Sequence, residues 1–181
     1  LLATVLAFLA ANALVRRLRR LHTTVLMLVL SPMMVPQVVV ALASYMLFTA
    51  LGLGGHWIAI AIGQSLLALP VATLIVAASL RGIDAAVLRA AAALGAGGWQ
   101  VFRMVTFPLA LHGILAAAAF SFLIAFDELL IALFLATPGL QTLPVRIYQA
   151  VHYELTPAVA VVSVLLTGVL GLAVVAMAAF R

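Results

Sequence analysis

Residues 81–108 read RGIDAAVLRAAAALGAGGWQVFRMVTFP, between two long apolar runs. Asp84 is placed to cap a helix over residues 85–94, nearly all of them good helix formers. Gly95 supplies a C-terminal stop, and Gly97-Gly98 continue the turn. Trp99, Phe102, Val105 and Phe107 then space a second amphipathic stretch, expected to end at Pro108. Connections between packed elements usually take about 4–6 residues. This one is far longer and carries structure of its own. From pattern alone it is either a surface hairpin that links its neighbours or a docking element for a partner.

The runs on either side set the fold class. Of 181 residues, 68% are apolar and 7% charged, and mean hydropathy is +1.38. A soluble domain is about 45–50% apolar and about 25% charged. So little polar surface excludes a soluble enzyme and a disordered chain. Transmembrane β-strands alternate apolar and polar residues, whereas these runs are apolar throughout. The reading is all-α: a polytopic transmembrane helix bundle of about five spans, over 1–15, 22–50, 57–80, 113–135 and 156–180. The last four exceed the roughly 20 residues a span needs. The short first run, opening on Leu1, is expected to be an N-terminal truncation.

Charge orients the bundle. There is no lysine, and the net charge of +5 comes from nine arginines against four acids. They sit between apolar runs, which is anchoring on an anionic leaflet and not nucleic-acid binding. With alternating spans, Arg16, Arg17, Arg19, Arg20, Arg81, Arg89, Arg103 and Arg181 share one side, and only Arg146 takes the other. The positive-inside rule then puts residues 81–112 and the C-terminus in the cytoplasm and the N-terminus outside. The loops in the 50s and at 136–155 face out. Cysteine is absent, so no disulfide or thiol chemistry is available.

The loop resembles the cytoplasmic signature of the membrane subunits of binding-protein-dependent ABC importers. That signature has a Glu-Ala-Ala motif, a glycine four residues on, and an Ile-x-Leu-Pro-like close. Here Arg89-Ala90-Ala91-Ala92-Ala93-Leu94-Gly95-Ala96 is followed by Val105-Thr106-Phe107-Pro108. Ala90, Ala91, Gly95 and Pro108 match in residue and spacing. Arg89 replaces the family's Glu and reverses a charge. Ser31-Pro32-Met33-Met34-Val35-Pro36 resembles the family's Pro-x-x-x-Pro. Ser121-Phe122-Leu123-Ile124-Ala125-Phe126-Asp127-Glu128, Gln141-Thr142-Leu143-Pro144 and Thr156-Pro157-Ala158 are similar to its polyamine subgroup.

The resemblance implies a permease domain over 1–181, with 81–112 as its coupling loop, in a bacterial inner membrane. Arg89, Ala90, Ala91, Leu94, Gly95, Ala96 and Pro108 would fit a groove on an ATPase subunit and pass its closure to the spans. The implied partners are an ATPase dimer, a second permease subunit, an extracytoplasmic solute-binding protein and membrane lipid. A small solute, a polyamine among the options, would cross by alternating access. No cofactor or metal is implied.

Residue chemistry bears on this reading independently. A P-loop needs a lysine and this chain has none, so it is not expected to be an enzyme, and any ATP hydrolysis falls to another polypeptide. Asp127 and Glu128 lie in an apolar run, where a carboxylate costs about 2.5–3.5 kcal/mol at mid-membrane. They either pair internally with Arg146, make a helix-end contact, or face a cationic solute. Adjacent helical residues point about 100° apart, so at most one faces a path fully. Pro32, Pro36 and Pro70 are expected to interrupt spans. Gln37 and Gln64 suit interhelical hydrogen bonds or solute contact. His22, His56, His112 and His152 sit near run ends without metal-ligand spacing. A self-contained secondary transporter or channel, and a structural anchor, are the rival readings. The first gives the loop no use, and the second leaves Asp127 and Glu128 unexplained.

Overall fold

The structure is a computed structural model and describes residues 1–16, 22–154 and 158–179. Arg17, Arg19, Arg20, Thr156, Pro157 and Arg181 lie outside the described residues. The helices are α1 (Leu2–Arg16), α2 (His22–Met34), α3 (Gln37–Ala50), α4 (Trp57–Arg81), α5 (Ala85–Ala93), α6 (Gly98–Val101), α7 (Phe107–Asp127), α8 (Leu130–Leu135), α9 (Leu143–Gln149) and α10 (Ala158–Ala179). Short π-helical turns occupy Phe102–Thr106 and Ala150–Glu154.

Two unbroken helices among the described residues are long and apolar enough to cross a membrane, Trp57–Arg81 and Gly98–Asp127. A third span results if the bent pair α2–α3 counts as one. Among the described residues the expected count of about five is not confirmed. α1 has 15 residues, and α10 contributes an apolar stretch over Ala160–Val169.

The second run, 22–50, is not one helix. It folds back by 98° between α2 and α3. Pro36 lacks a backbone donor and disfavours helix at Val35, so α2 stops and α3 starts anew, with Pro36 accepting from Val39 and Val40. Pro32 and Pro70 do not interrupt their helices. Pro32 would leave the Leu28 carbonyl without a donor. The Ser31 hydroxyl fills that place by donating to Leu28 O at 2.8 Å. Pro70 is buried within α4, a 25-residue helix packed by α1 and α7.

The fourth run departs in the other direction. Its helix does not close at Pro108 or begin at 113. It runs from Gly98 to Asp127, through a π turn at Phe102–Thr106 that ends just before Pro108 and in which the Phe107 amide donates to Phe102 O. It then breaks before 135, and α8 is a separate short helix.

Packing centres on α4, which belongs to two clusters. One joins α1, α4 and α7 through Ala7, Ala11, Ala72, Val76, Ala110 and Ala117. The other joins α3, α4, α8 and α9 through Phe48, Ala59, Ile60, Ile131, Leu135 and Val145. In lipid, apolar burial drives helix association weakly, and close backbone approach takes its place. Small residues recur every fourth position along the α1 and α7 contact faces: Ala3, Ala7 and Ala11, then Gly113, Ala117 and Ser121. A Cβ at Gly63 would lie 2.6 Å from Ile131 Cγ2, and one at Gly113 would overlap Ser79 Cβ.

Candidate functional site

The loop helix α5 is built by local chemistry. Asp84 adopts an extended backbone and its carboxylate accepts from the Ala86 amide at 2.7 Å. This fills one of the unsatisfied N–H positions that open a helix. At the other end Ala96 N donates to Ala91 O (3.2 Å) and Gly95 N to Ala92 O (3.0 Å). That pair of bonds is a Schellman motif, and it requires the left-handed backbone that Gly95 supplies at φ +84°. A Cβ at Gly95 would meet nothing within 4 Å, so the demand there is torsional alone.

α5 buries no residue. Arg89 and Ala90 are exposed, Leu94 is 90% exposed, and Trp99 just beyond the turn is 70% exposed. Leaving such apolar surface uncovered costs free energy in water, so a lone surface hairpin is poorly served by it. Gln100 accepts from the Gly97 amide (2.8 Å) and fixes the start of the next helix. Phe102 then sits among Trp99, Phe107 and Phe8 of α1, with centroid separations of 5.2, 6.1 and 5.8 Å. The loop is therefore wired twice into the bundle. It is continuous with the Gly98–Asp127 helix, and it contacts α1 through Phe102. Of the seven loop positions singled out in sequence, six gather at α5 and its exit. Pro108 is separate, an exposed residue in the first turn of α7.

The acidic pair has split roles. Asp127 is the last residue of α7 and is exposed. Glu128 is 3% exposed, and its carboxylate accepts from the Ile131 amide (2.6 Å) and the Ala132 amide (3.1 Å). It closes the N-terminal end of α8, where a negative charge is favoured. Among the described residues no ion pair joins either acid to Arg146, which is exposed on α9. The expectation that both acids lie within one span is corrected, because the chain breaks there and Glu128 makes the new helix start. Hydrogen bonds to a charged group contribute about 1.5–3 kcal/mol, so Glu128→Ala is expected to destabilise by about that much. Asp127→Asn should leave stability unchanged. Membrane abundance and melting temperature check this, and an unaltered Glu128→Ala protein would remove the cap from the account.

Gln37 is exposed at the first turn of α3 and Gln64 is half-buried on α4. Neither side chain makes a hydrogen bond among the described residues, so the interhelical bonds expected of them are not formed there. The Glu128 cap is the helix-end contact that sequence reasoning held open for the acidic pair, made here to two backbone amides of α8.

Residues 3–180 match the sequence profile of the binding-protein-dependent transport system inner membrane component family. The chain belongs to that family. Members of this family named as relatives include the spermidine/putrescine transport system permease protein PotC of Escherichia coli strain K12. The match is 31% identical over 158 residues, covering 87% of this chain and 60% of PotC. The putrescine transport system permease protein PotI of the same strain is 28% identical over 178 residues, covering 94% and 63%. The sulfoquinovosyl glycerol transport system permease protein SmoH of Agrobacterium fabrum is 31% identical over 156 residues, covering 82% and 53%. The chain thus spans about three fifths of the length of the first two relatives. As an inner-membrane component with apolar spanning helices, it is a multi-pass membrane protein.

Proposed function

We propose that this chain is the core of a permease subunit in an ATP-driven importer. Residues 1–181 would be its transmembrane domain, and 81–112 the coupling loop that docks on a separate ATPase subunit. The observation that carries the reading is α5: a capped helix without a buried residue, ending in a Schellman turn and joined directly to a membrane-length helix. An ATPase that closes on α5 would push one end of Gly98–Asp127, and through Phe102 the first helix. The spans would then swing between inward-open and outward-open states. A second permease subunit would complete the path, and an extracytoplasmic binding protein would deliver the solute. Hydrolysis falls to the ATPase, and this subunit holds no catalytic residue in the scheme.

The solute we infer is a small organic cation of the polyamine class. PotC and PotI carry such solutes in their names, and Asp127 is an exposed carboxylate beside the break of α7, free of the capping that occupies Glu128. SmoH is named for a different solute, so the test is a panel. The complete importer in vesicles is given putrescine, spermidine and sulfoquinovosyl glycerol with ATP. ATP-dependent uptake of a polyamine, lowered by Asp127→Asn at normal abundance, is the expected result. Uptake of the glycoside alone would overturn the cation assignment.

Orientation is part of the proposal, since Arg81, Arg89 and Arg103 cluster on one side of the spans. With single cysteines, an impermeant thiol reagent outside the cell should reach Gly139→Cys and not Gly98→Cys. External labelling at 98 would invert the topology and detach the loop from any cytoplasmic ATPase.

A further inference from the structure

α5 carries a single ionisable side chain, Arg89. Helical geometry places Ala86, Arg89, Ala90 and Ala93 within an arc of about 100° on its surface. All four are exposed. Leu88 and Ala91 lie on the opposite side, half-buried where α5 meets α6 and the π turn at Phe102–Thr106. The outward face is therefore a floor of alanine methyls with one guanidinium standing on it. Leu94 and Trp99, both exposed, continue the apolar surface past the Schellman turn.

The chain offers Arg89 no counter-charge. Its acidic residues are four: Asp84, Asp127, Glu128 and Glu154. Asp127 and Glu128 lie at the far end of the Gly98–Asp127 helix, and Glu154 closes the π turn that follows α9. Asp84 caps α5, its carboxylate accepting from the Ala86 amide. Arg89 makes no hydrogen bond or ion pair among the described residues. Arg81 and Arg103 add positive charge to the same loop, where Asp84 is the one acid. A surface that covers the alanine floor also takes water from the guanidinium. Burying an unpaired charge is unfavourable, and a carboxylate offsets that cost. The planar fork of a guanidinium meets a carboxylate through two parallel hydrogen bonds. The alanine floor also selects the class of partner. A helix lying in a lipid interface needs bulky apolar side chains on its buried face, whereas alanine lets the wall of a protein groove approach closely.

We propose that the groove receiving α5 is acidic, with a carboxylate of the ATPase subunit set opposite Arg89, and that this ion pair selects the ATPase the permease accepts. The inference rests on the reading of α5 as the coupling helix and adds the chemistry of the surface it meets. An ATPase with a neutral or basic group at that place would leave Arg89 covered and unpaired, and would be rejected.

The test assembles the permease pair in nanodiscs of zwitterionic lipid and titrates it with its ATPase. Arg89→Glu should weaken the complex about a hundredfold and Arg89→Ala about tenfold, whereas Arg89→Lys keeps the charge and should stay within a few-fold of the parent. α5 buries nothing and all three replacements are good helix formers, so the melting temperature should not move. A photoreactive benzoylphenylalanine in place of Ala92, three residues from Arg89 and exposed, then marks the facing ATPase segment. Each Asp or Glu in that segment is changed to Arg in turn. One reversal should restore binding to Arg89→Glu, together with stimulation by loaded binding protein, and should weaken binding to the parent. Parental affinity in Arg89→Glu overturns the inference, as does the lack of any rescuing reversal. Weakening confined to discs that contain phosphatidylglycerol assigns Arg89 to the membrane and overturns it equally. A parent permease that binds no ATPase fails the coupling reading and the inference with it, whereas a parent that binds beside variants that bind equally well fails the inference alone.

Discussion

Gly95→Pro is expected to abolish the stimulation of ATP hydrolysis by loaded binding protein while the subunit stays in the membrane. Proline fixes φ near −65° and has no N–H, whereas this position sits at φ +84° and donates to Ala92 O. Both halves of the turn are lost, at a cost of about 3 kcal/mol or more. The penalty falls on an exposed loop helix that buries nothing, so the bundle should not unfold with it. Gly95→Ala separates torsion from the lost bond. It meets no neighbour within 4 Å and pays only the left-handed backbone, roughly 1–2 kcal/mol. The expected order of uptake is parent, then alanine, then proline, with abundance constant. Equal stimulation in all three would show that the turn takes no part in coupling.

The second large effect is structural. Gly113→Leu should deplete the protein from the membrane, because α4 and α7 touch there with no room for a side chain. Even a Cβ at Gly113 overlaps Ser79 Cβ. Overpacking typically costs about 1–3 kcal/mol, and a leucine must also move one helix. Gly113→Ala is the sharper probe. It should lower the melting temperature, and Ser79→Gly in the same chain should restore it by removing the opposing Cβ. Ser79→Gly alone should be mild. Failure of the double variant to recover would mean that the contact is looser than described. Abundance by quantitative blotting and melting in detergent measure both.

What could be read in the sequence was local. The Asp84 cap and the Gly95 stop follow from side-chain oxygens and from φ > 0, which neighbours in the chain decide. The apolar runs marked where helices lie, and the family followed from motifs on the loop. What could not be read depended on partners in space. Pro32, Pro36 and Pro70 look alike in sequence, yet only Pro36 breaks a helix. Ser31 takes over at Leu28, and α4 is held on both sides around Pro70. The break at Glu128 has no glycine or proline to announce it. Its cause is a carboxylate finding two amides ahead of it in the chain, a helix-end contact that sequence reasoning held open while it placed both acids inside one span.

The Gly98–Asp127 helix has thirty residues, so at 1.5 Å each it is about 45 Å long, against a hydrocarbon layer of about 30 Å. A close crossing with α4, at Gly113, falls near its midpoint. Used as a fulcrum, that crossing divides the helix into two arms of about 22 Å. Equal arms give a mechanical gain close to one. A tilt of about 10° would displace the loop end by about 4 Å and the Asp127 end by the same distance in the opposite sense. The stroke at the Asp127 end is then set by the stroke at the loop, neither amplified nor reduced.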